Sequence, residues 1–364
     1  MVDSARVDRN VDRVQSKISS RGLRLRPHAK THKSVDMARR QIAAGAAGIC
    51  CAKLGEAEIF AAAGIEDIRL PYPLNPANAE RVLELLDSTR LSFIVDHMAV
   101  AQGWSEAMHR AGRSVDVLVK VDVGFHRCGI DPERHDAAAF VAAVAALPGL
   151  NFRGLLAHAG HGYGATSEEQ VRQIAEQEAE TMMALAEAVR ALGVEVPEIS
   201  LGATPTLRYS VDQPGPTELR PGNYIYFDRT QVSLGAAAWD DCALTVLARV
   251  VTKPAPDRII LDSGSKTLTN DLARGFRSAP GFGAVLKSLT GVQVPDDTLA
   301  VERLSEEHAN VRVTTGGHPL EPGDLVRIVP NHSCVVSNLV DAAWLVEGEQ
   351  VIERLDINAR GRIT

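Results

Sequence analysis

The sequence predicts an α/β fold: a (β/α)8 TIM-type barrel followed by a mainly β C-terminal domain. Over the first 230 residues, short β-rich runs alternate with longer helical runs, which is the pattern of parallel strands joined by helices. From about residue 233, strand-length runs separated by turn residues follow one another with few helices between them. We therefore expect a barrel at 1–232 and a β domain at 233–364.

Eight runs are predicted as barrel strands. In order they are 23–29, 48–52, 67–72, 91–96, 116–124, 151–159, 197–203 and 223–228. An open doubly wound sheet is the alternative. No G-x-G-x-x-G motif follows an early strand, which argues against the dinucleotide-binding version of that fold.

Helix-end signals separate these strands. Ser34 is a predicted N-cap, and Gly45 a predicted stop, for the helical run between them. A second run ends in the same way at Gly64, and a long amphipathic run begins at Ser167 with Gln170 three residues on, as in a capping box. The β domain is predicted from five strand-length runs, at 243–253, 258–264, 309–316, 324–331 and 341–358.

Composition excludes several classes of protein. The net charge is −7 and aromatic residues make up 4% of the 364 residues, so a nucleic acid or an anionic membrane is not the expected partner. Every apolar run is too short to span a membrane, and the first residues lack the apolar core of a signal peptide. The five cysteines are scattered and odd in number, so we expect no disulfide framework and a cytoplasmic location.

The segment RPHAKTHKS (26–34) concentrates basic side chains at the end of the first predicted strand. The carboxyl ends of barrel strands carry the active site, and a desolvated Lys30 among other cations could act as an imine-forming amine. A surface loop of solvated lysines is the competing interpretation. Arg26 and His28 alternate with Lys30 and are expected to face the barrel interior with it, whereas Lys33 is predicted to be solvated.

Two further strand ends carry candidate ligand-binding groups. In KVDVGFHRCG (120–129), Arg127 could donate to an oxygen or ring nitrogen of a cofactor, or form an ion pair at the barrel mouth. In LLAHAGHGYG (155–164), His158 and Tyr163 lie among small residues that would allow a flat ligand to approach, and a histidine there can stack on an aromatic ring. A histidine buried in the core is the alternative for His158.

The last two strand regions are candidates for phosphate binding. The segments SLGATPT (200–206) and RPGNYIYFD (220–228) supply backbone N–H and hydroxyl donors, where barrels commonly bind phosphate. The donors proposed for this cradle are Gly202, Ala203, Thr204, Gly222 and Asn223.

A metal-ligand pair is predicted in the β domain. In PNHSCVVSNL (330–339), a strand would place His332 and Cys334 on one face, and a nitrogen and a sulfur ligand together suit zinc. By itself the H-x-C spacing is a weak signal.

Taken together, RPHAKTHK, CCAKLGEAE, VDVGFHRCG, HAGHGY, GATPT, RPGNYIYFD, LDSGSK, LSEEH and PNHSC resemble the D-serine dehydratase/D-threonine aldolase-like enzymes, in order and over nearly the whole chain. These are metal-activated pyridoxal 5′-phosphate (PLP) proteins of the alanine-racemase fold. The resemblance implies that the covalent PLP lysine is Lys30, that the other cofactor-binding residues are Arg127, His158, Tyr163, Gly202, Thr204, Gly222 and Asn223, and that the divalent metal ligands are His332 and Cys334.

The resemblance also implies an activity. H-x-C at the metal and the HAGH segment are typical of the dehydratase branch, so we expect a lyase that converts D-serine or 3-hydroxy-D-aspartate to a 2-oxo acid and ammonia. D-threonine aldolase is the alternative, followed by an amino-acid racemase and a non-catalytic PLP carrier. Zinc is the expected metal, with manganese as the alternative, and a homodimer is expected. The family has a short strand before the segment seen here as VDSARVDRN; this chain starts at Met1, so we expect that strand to be incomplete and the β domain weakened.

Overall fold

Eight parallel strands form the barrel, and the computed structural model describes residues 1–364. Numbered after an N-terminal strand β1 (Val2–Asp3), they are β2 (Arg24–Leu25), β3 (Ile49–Cys50), β4 (Asp67–Pro73), β5 (Arg90–Val95), β6 (Val115–Lys120), β7 (Leu150–Leu156), β8 (Glu198–Leu201) and β9 (Glu218–Leu219). They pair in the order β2-β9-β8-β7-β6-β5-β4-β3. A parallel bridge between His28 and Cys50 joins the two ends of this sheet, so the predicted barrel is confirmed.

Helices connect the strands and cover the outside of the barrel. They are α1 (Ser4–Ser19), α2 (Val35–Ala43), α3 (Leu54–Ala62), α4 (Ala79–Leu85), α5 (Met98–Arg110), α6 (Ala137–Ala145), α7 (Glu168–Ala191), α8 (Leu207–Ser210) and α9 (Arg229–Ser233). Short 3-10 helices lie at Ala29–Thr31, Pro76–Asn78, Gly160–Gly164, Asn223–Ile225 and Trp239–Asp241. No helix is long and apolar enough to cross a membrane.

The predicted helix starts are in place, with different capping. At α7 the Ser167 hydroxyl accepts a hydrogen bond from the Gln170 N–H at 3.1 Å, and the Gln170 side chain accepts from the Thr166 N–H at 2.7 Å. This reciprocal pattern is a capping box displaced by one residue. At α2, Ser34 occupies the N-cap position, but its buried hydroxyl makes no capping hydrogen bond.

The C-terminal part consists of two further sheets. Its elements are β10 (Val246–Ala255), β11 (Arg258–Leu261), α10 (Ser265–Leu268), β12 (Ala284–Val285), β13 (Leu299–Leu304), β14 (Ala309–Val313), β15 (Leu325–Val329), α11 (Ser333–Ser337), β16 (Ala342–Glu347) and β17 (Gln350–Asp356). One sheet is antiparallel, in the order β12-β15-β10-β11-β14-β13, and the other is β1-β16-β17. Because β1 runs parallel to β16, the first residues of the chain add a two-residue strand to the C-terminal sheet.

The prediction of the eighth strand at 223–228 is wrong. The eighth strand is β9, which lies upstream, and a 3-10 helix occupies Asn223–Ile225. Pro221 and Gly222 end the strand, because proline lacks the N–H that would continue the ladder. The aromatic run that follows looked strand-like, but it is buried on every side instead of alternating.

A network of buried charges fills the barrel interior near the amino-terminal ends of its strands. Glu218 accepts hydrogen bonds from Arg69 at 2.6 Å and from Arg26 at 2.9 Å. Arg69 also donates to Glu198 at 2.9 Å, and Arg26 pairs with Asp67. Each buried charge therefore has a partner of opposite sign, and Arg26 faces the interior as predicted.

Candidate active site

A cavity of about 220 Å³ opens at the carboxyl ends of the barrel strands, where the β domain packs on the barrel. Its lining includes nine of the ten predicted site residues, namely Lys30, Arg127, His158, Tyr163, Thr204, Gly222, Asn223, His332 and Cys334. The tenth, Gly202, lies just behind the lining, where its carbonyl is 3.3 Å from His158 Nδ1. Chain segments from the whole sequence thus meet at one place.

Lys30 lies in the 3-10 helix that follows β2, at the mouth of the barrel. Burial lowers the pKa of its amine; the nearby Arg127 charge also lowers it, and Cys334 opposes the shift. A lower pKa gives a larger fraction of the neutral amine, which is the form that attacks a carbonyl carbon. The structure thus surrounds Lys30 with the environment of a nucleophilic lysine.

His158 is held in one orientation. Its Nδ1 faces the Gly202 carbonyl, which can only accept, so Nδ1 carries the proton and donates the hydrogen bond. Its ring meets the Phe125 ring edge-on, with centroids 5.8 Å apart. Burial, followed by the charges of Lys30 and Lys120, lowers the pKa of His158 well below its usual range. The side chain is therefore a neutral ring suited to contact a flat aromatic ligand.

One end of the cavity is a cradle of hydrogen-bond donors. The backbone N–H groups of Thr204, Gly222 and Asn223 donate to nothing within the chain, and the buried Thr204 hydroxyl has no partner within 3.5 Å. A Cβ built on Gly222 would lie 3.0 Å from His28 Cβ and 3.1 Å from Thr31 Oγ1, so a larger residue would crowd this backbone approach. Free donors at a close backbone approach fit a phosphate group, and with Lys30 lining the same cavity the site fits PLP.

His332 and Cys334 meet in the cavity, but not on a strand as predicted. His332 is the N-cap of α11 and Cys334 lies in its first turn. The N-cap backbone is extended and the next residues are helical, so the chain bends at the point where a strand would continue. The two side chains nevertheless line the same wall.

The chemistry of this pair fits a soft divalent metal. Burial would raise the pKa of the Cys334 thiol, but the adjacent His332 lowers it below its usual range and favours the thiolate that binds metal. Asp271 lies 3.0 Å from His332 Nδ1, which leaves Nε2 free for a metal, as in many zinc sites. No group of three or more ligating side chains is arranged to hold a metal, so a metal held here would have two protein ligands and open coordination positions.

Asp228 joins α11 to the barrel. Its buried carboxylate accepts from the Ser333 N–H at 2.9 Å and from the Asn223 side chain at 2.6 Å. Thr31 Oγ1 also lies 3.2 Å from Cys334 Sγ. These contacts fix the pair relative to Lys30 and to the phosphate cradle.

Sequence reasoning missed two buried cations in the cavity wall. Arg220 donates to the Ala157 carbonyl and, at 2.7 Å, to the Ser200 hydroxyl. Lys120 donates to the Val121 carbonyl at 3.0 Å, and burial lowers its pKa to about 8. Both belong to quoted motifs, but only the strand register shows that their side chains point inward.

Three other residues of the quoted motifs lie away from the cavity lining. Lys33 is buried and pairs with Glu56 at 3.2 Å, so its prediction as a solvated residue is wrong. Its backbone has a positive φ of 50°, which turns the side chain inward against α3. His32 is fully buried, and burial lowers its pKa to about 4. His161 is partly buried, and its Nδ1 has no partner.

Comparison with known proteins identifies the family. Residues 2–230 match the model described as "Alanine racemase, N-terminal domain", and residues 243–346 match "Putative serine dehydratase domain". The chain is 34% identical to the D-threonine aldolase of Arthrobacter sp., over 99% of this chain and 92% of that protein. It is 33% identical to the D-threo-3-hydroxyaspartate dehydratase of Delftia sp. (strain HT23), over 92% of this chain and 90% of that protein.

The chain belongs to the D-serine dehydratase/D-threonine aldolase-like family. A solved structure of the Delftia dehydratase superposes with a TM-score of 0.90 at 31% identity, over 98% of this chain and 95% of that one. Two further structures of that enzyme are variants, in which a histidine and a cysteine two positions apart are each replaced by alanine. The cysteine variant is described as metal-free.

Proposed function

We propose that this member of the family is a PLP-dependent lyase that dehydrates 3-hydroxy-D-amino acids, with D-serine or 3-hydroxy-D-aspartate as substrate. The observation that carries the proposal is the His332–Cys334 pair on the wall of the cavity that holds Lys30. A racemase needs a lysine but no metal at the 3-hydroxyl. A dehydratase must also expel hydroxide, a poor leaving group, and the pair would serve that step.

In the proposed reaction, Lys30 acts on the Cα proton. Bound PLP supplies an electron sink that makes this proton acidic. The lowered pKa of Lys30 favours the neutral amine, which is the form that can take the proton. In the net reaction the Cα–H and Cβ–O bonds break, water leaves, and hydrolysis of the resulting enamine gives a 2-oxo acid and ammonia.

The metal would be held by His332 and Cys334, and as a Lewis acid it would stabilise negative charge on the leaving 3-hydroxyl oxygen. The metal-free cysteine variant of the Delftia enzyme, which has the same H-x-C spacing, supports this assignment. A thiolate ligand favours zinc over manganese. Asp271 would orient His332 through the 3.0 Å contact to Nδ1.

D-threonine aldolase activity is the second candidate, because the Arthrobacter relative with that activity matches 99% of this chain. The same residues would serve it: Lys30 would bind the cofactor, and the metal would acidify the 3-hydroxyl so that the Cα–Cβ bond breaks. His158 or His161 would be the candidate base, and His158 is favoured because it is neutral and lines the cavity, whereas His161 does not.

Product analysis decides between the two. The PLP- and zinc-loaded enzyme is incubated with D-serine, D-threonine and threo-3-hydroxy-D-aspartate, and the products are identified by chromatography. We expect a 2-oxo acid and ammonia in a 1:1 ratio. Glycine and an aldehyde would instead establish the aldolase.

Two variants test the assigned residues. Lys30→Ala should lose the visible absorbance of the lysine-bound cofactor, and retention of that band would refute the role of Lys30. Cys334→Ala should keep the cofactor band but lose bound metal and activity. Full activity after chelation would favour a racemase. A wild-type protein that binds PLP but turns over none of these substrates would favour a non-catalytic PLP carrier.

The remaining proposals concern organisation. We place the domain boundary at 232/233, with the PLP barrel before it and the metal-binding β domain after it. Five free cysteines support a reducing, cytoplasmic location. A homodimer is supported by the exposed apolar side chains of Trp344, Val351 and Ile352 on the β16–β17 hairpin.

A further inference from the structure

The cavity carries more positive charge than the cofactor chemistry uses. Five of its lining side chains are Lys or Arg, and none is Asp or Glu. Lys120 and Arg220 are engaged with carbonyl or hydroxyl groups of the barrel. Arg127 stacks over Phe125 at 4.9 Å, beside Lys30 and His158 on the barrel side. Arg274, like Arg127, makes no hydrogen bond or ion pair within the chain, but Arg127 is already assigned to the cofactor.

Arg274 comes from the β domain, on a loop that contacts both the rest of that domain and the end of α9. Before it, the Asn331 side chain donates to the Asp271 carbonyl at 2.9 Å. After it, the Arg277 N–H donates to the Ser233 carbonyl at 3.1 Å. Arg274, whose side chain is exposed and lines the cavity, lies between these two contacts, and its guanidinium makes no hydrogen bond or ion pair within the chain.

The loop also brings Arg274 to the cavity that the metal pair lines. Asp271, three residues earlier, contacts His332 Nδ1 at 3.0 Å, and both His332 and Arg274 line the cavity. If the proposed function holds, the substrate 3-hydroxyl lies at His332 and Cys334. Another group bonded to the same carbon would then lie in the same cavity, which Arg274 also lines.

We propose that Arg274 binds a second carboxylate on the substrate Cβ, which makes the preferred substrate class an acidic 3-hydroxy-D-amino acid such as threo-3-hydroxy-D-aspartate. A planar guanidinium pairs with a carboxylate through two parallel hydrogen bonds. The hydrogen of D-serine and the methyl group of D-threonine offer it no partner. Arg274 is thus a specificity residue, and this inference rests on the proposed function for the position of Cβ.

The decisive measurement is binding of an unreactive pair, D-aspartate and D-alanine, to the PLP- and zinc-loaded enzyme by absorbance titration and calorimetry. Neither ligand has a 3-hydroxyl, so neither can be dehydrated. We expect wild type to bind D-aspartate more tightly. Arg274→Ala should weaken D-aspartate binding about 10- to 100-fold, the range for a lost hydrogen-bonded charge pair, and D-alanine binding less than about threefold. The D-aspartate affinity of Arg274→Lys should lie between those of wild type and Arg274→Ala.

Arg277→Ala is the matched control, because it removes an exposed arginine from the same loop that pairs with Glu168 and does not line the cavity. It should leave both affinities unchanged. Equal weakening of both ligands by Arg274→Ala would overturn the proposal in favour of contact with the α-carboxylate, and an unchanged D-aspartate affinity would overturn it outright.

A turnover measurement separates this inference from the proposed function. The ratio of kcat/KM for threo-3-hydroxy-D-aspartate to that for D-serine should fall in Arg274→Ala by about the same factor as D-aspartate binding. If wild type turned over neither substrate, the proposed function would fail, while the D-aspartate and D-alanine affinities would still show whether Arg274 binds the second carboxylate.

Discussion

The buried charge of Glu218 should contribute measurably to the stability of the barrel, and Glu218→Gln tests this without changing side-chain shape. Burial would raise the pKa of Glu218, but the Arg69 and Arg26 guanidiniums outweigh it and lower the pKa from 4.5 to about 2. Each unit of pKa corresponds to about 1.4 kcal/mol. The charge therefore stabilises the fold by roughly 3 kcal/mol, which matches the lower end of the cost of removing one partner from a buried ion pair.

A loss of stability at the lower end of this range is expected, because Glu218→Gln leaves neither Arg26 nor Arg69 without an acidic partner. Arg26 keeps Asp67, and Arg69 keeps Glu198 at 2.9 Å. Urea denaturation of the PLP-loaded protein at pH 7 should show the loss as a lower midpoint, and the melting temperature should fall by about 5 °C. Glu187→Gln on the exposed face of α7 is the control and should change neither.

The pH dependence supplies the second half of the test. A carboxyl group whose pKa is lowered by folding stabilises the protein above its unfolded pKa, and this contribution is lost as the pH falls toward the folded value. The difference between wild type and Glu218→Gln should therefore be full at pH 6–8 and shrink between pH 4.5 and about 2. A loss below about 1 kcal/mol at pH 7, or a difference independent of pH, would refute the reasoning.

Three further predictions concern the cavity. Gly222→Ala places a methyl group 3.0 Å from His28 Cβ, so the PLP dissociation constant measured by fluorescence should rise about tenfold; unchanged affinity would contradict the cradle. Gly160→Ala would bring a Cβ within 2.5 Å of the Phe125 ring and displace it, so kcat should fall about tenfold while PLP stays bound; wild-type turnover would show that the ring position is unimportant. Because the pKa of Lys120 is about 8, its positive charge is lost as the pH rises through that value. Cofactor absorbance should therefore change near pH 8 in wild type but not in Lys120→Met, and an identical pH profile in the variant would refute this.

The barrel was predictable because its signal is local. Strand-length β-rich runs alternate with capped helices along the chain, and the carboxyl ends of parallel strands must meet at one end of a barrel. Residues placed at strand ends by the sequence, such as Lys30 and His158, therefore lie together in the structure. The same reasoning gave a wrong eighth strand. Tyr224 and its neighbours have the composition of a strand, but they lie in and just after a 3-10 helix and are buried on every side.

The residues missed by the sequence are those whose positions depend on distant contacts. Lys33 looks like a solvated lysine until its inward-turned backbone brings it to Glu56. Asp228 gains its importance from α11, more than 100 residues later in the chain. Arg274 lies in a loop with no motif, and only the packing of the β domain on the barrel brings it to the cavity. Periodicity along the chain reports which face of an element is buried, but it does not report which elements meet.

The barrel and the β domain contribute different groups to the cavity, and this has a consequence for substrate specificity. The barrel supplies Lys30 and the donors of the phosphate cradle, which any PLP reaction requires. The β domain supplies His332, Cys334 and Arg274, which line the cavity where substituents on the substrate Cβ would lie. A change of reaction or substrate could therefore arise in the β domain without disturbing cofactor binding. The contacts of Asp228 restrict that freedom, because α11 can change its side chains but must keep its N-terminus docked on the barrel for His332 and Cys334 to share the cavity with Lys30.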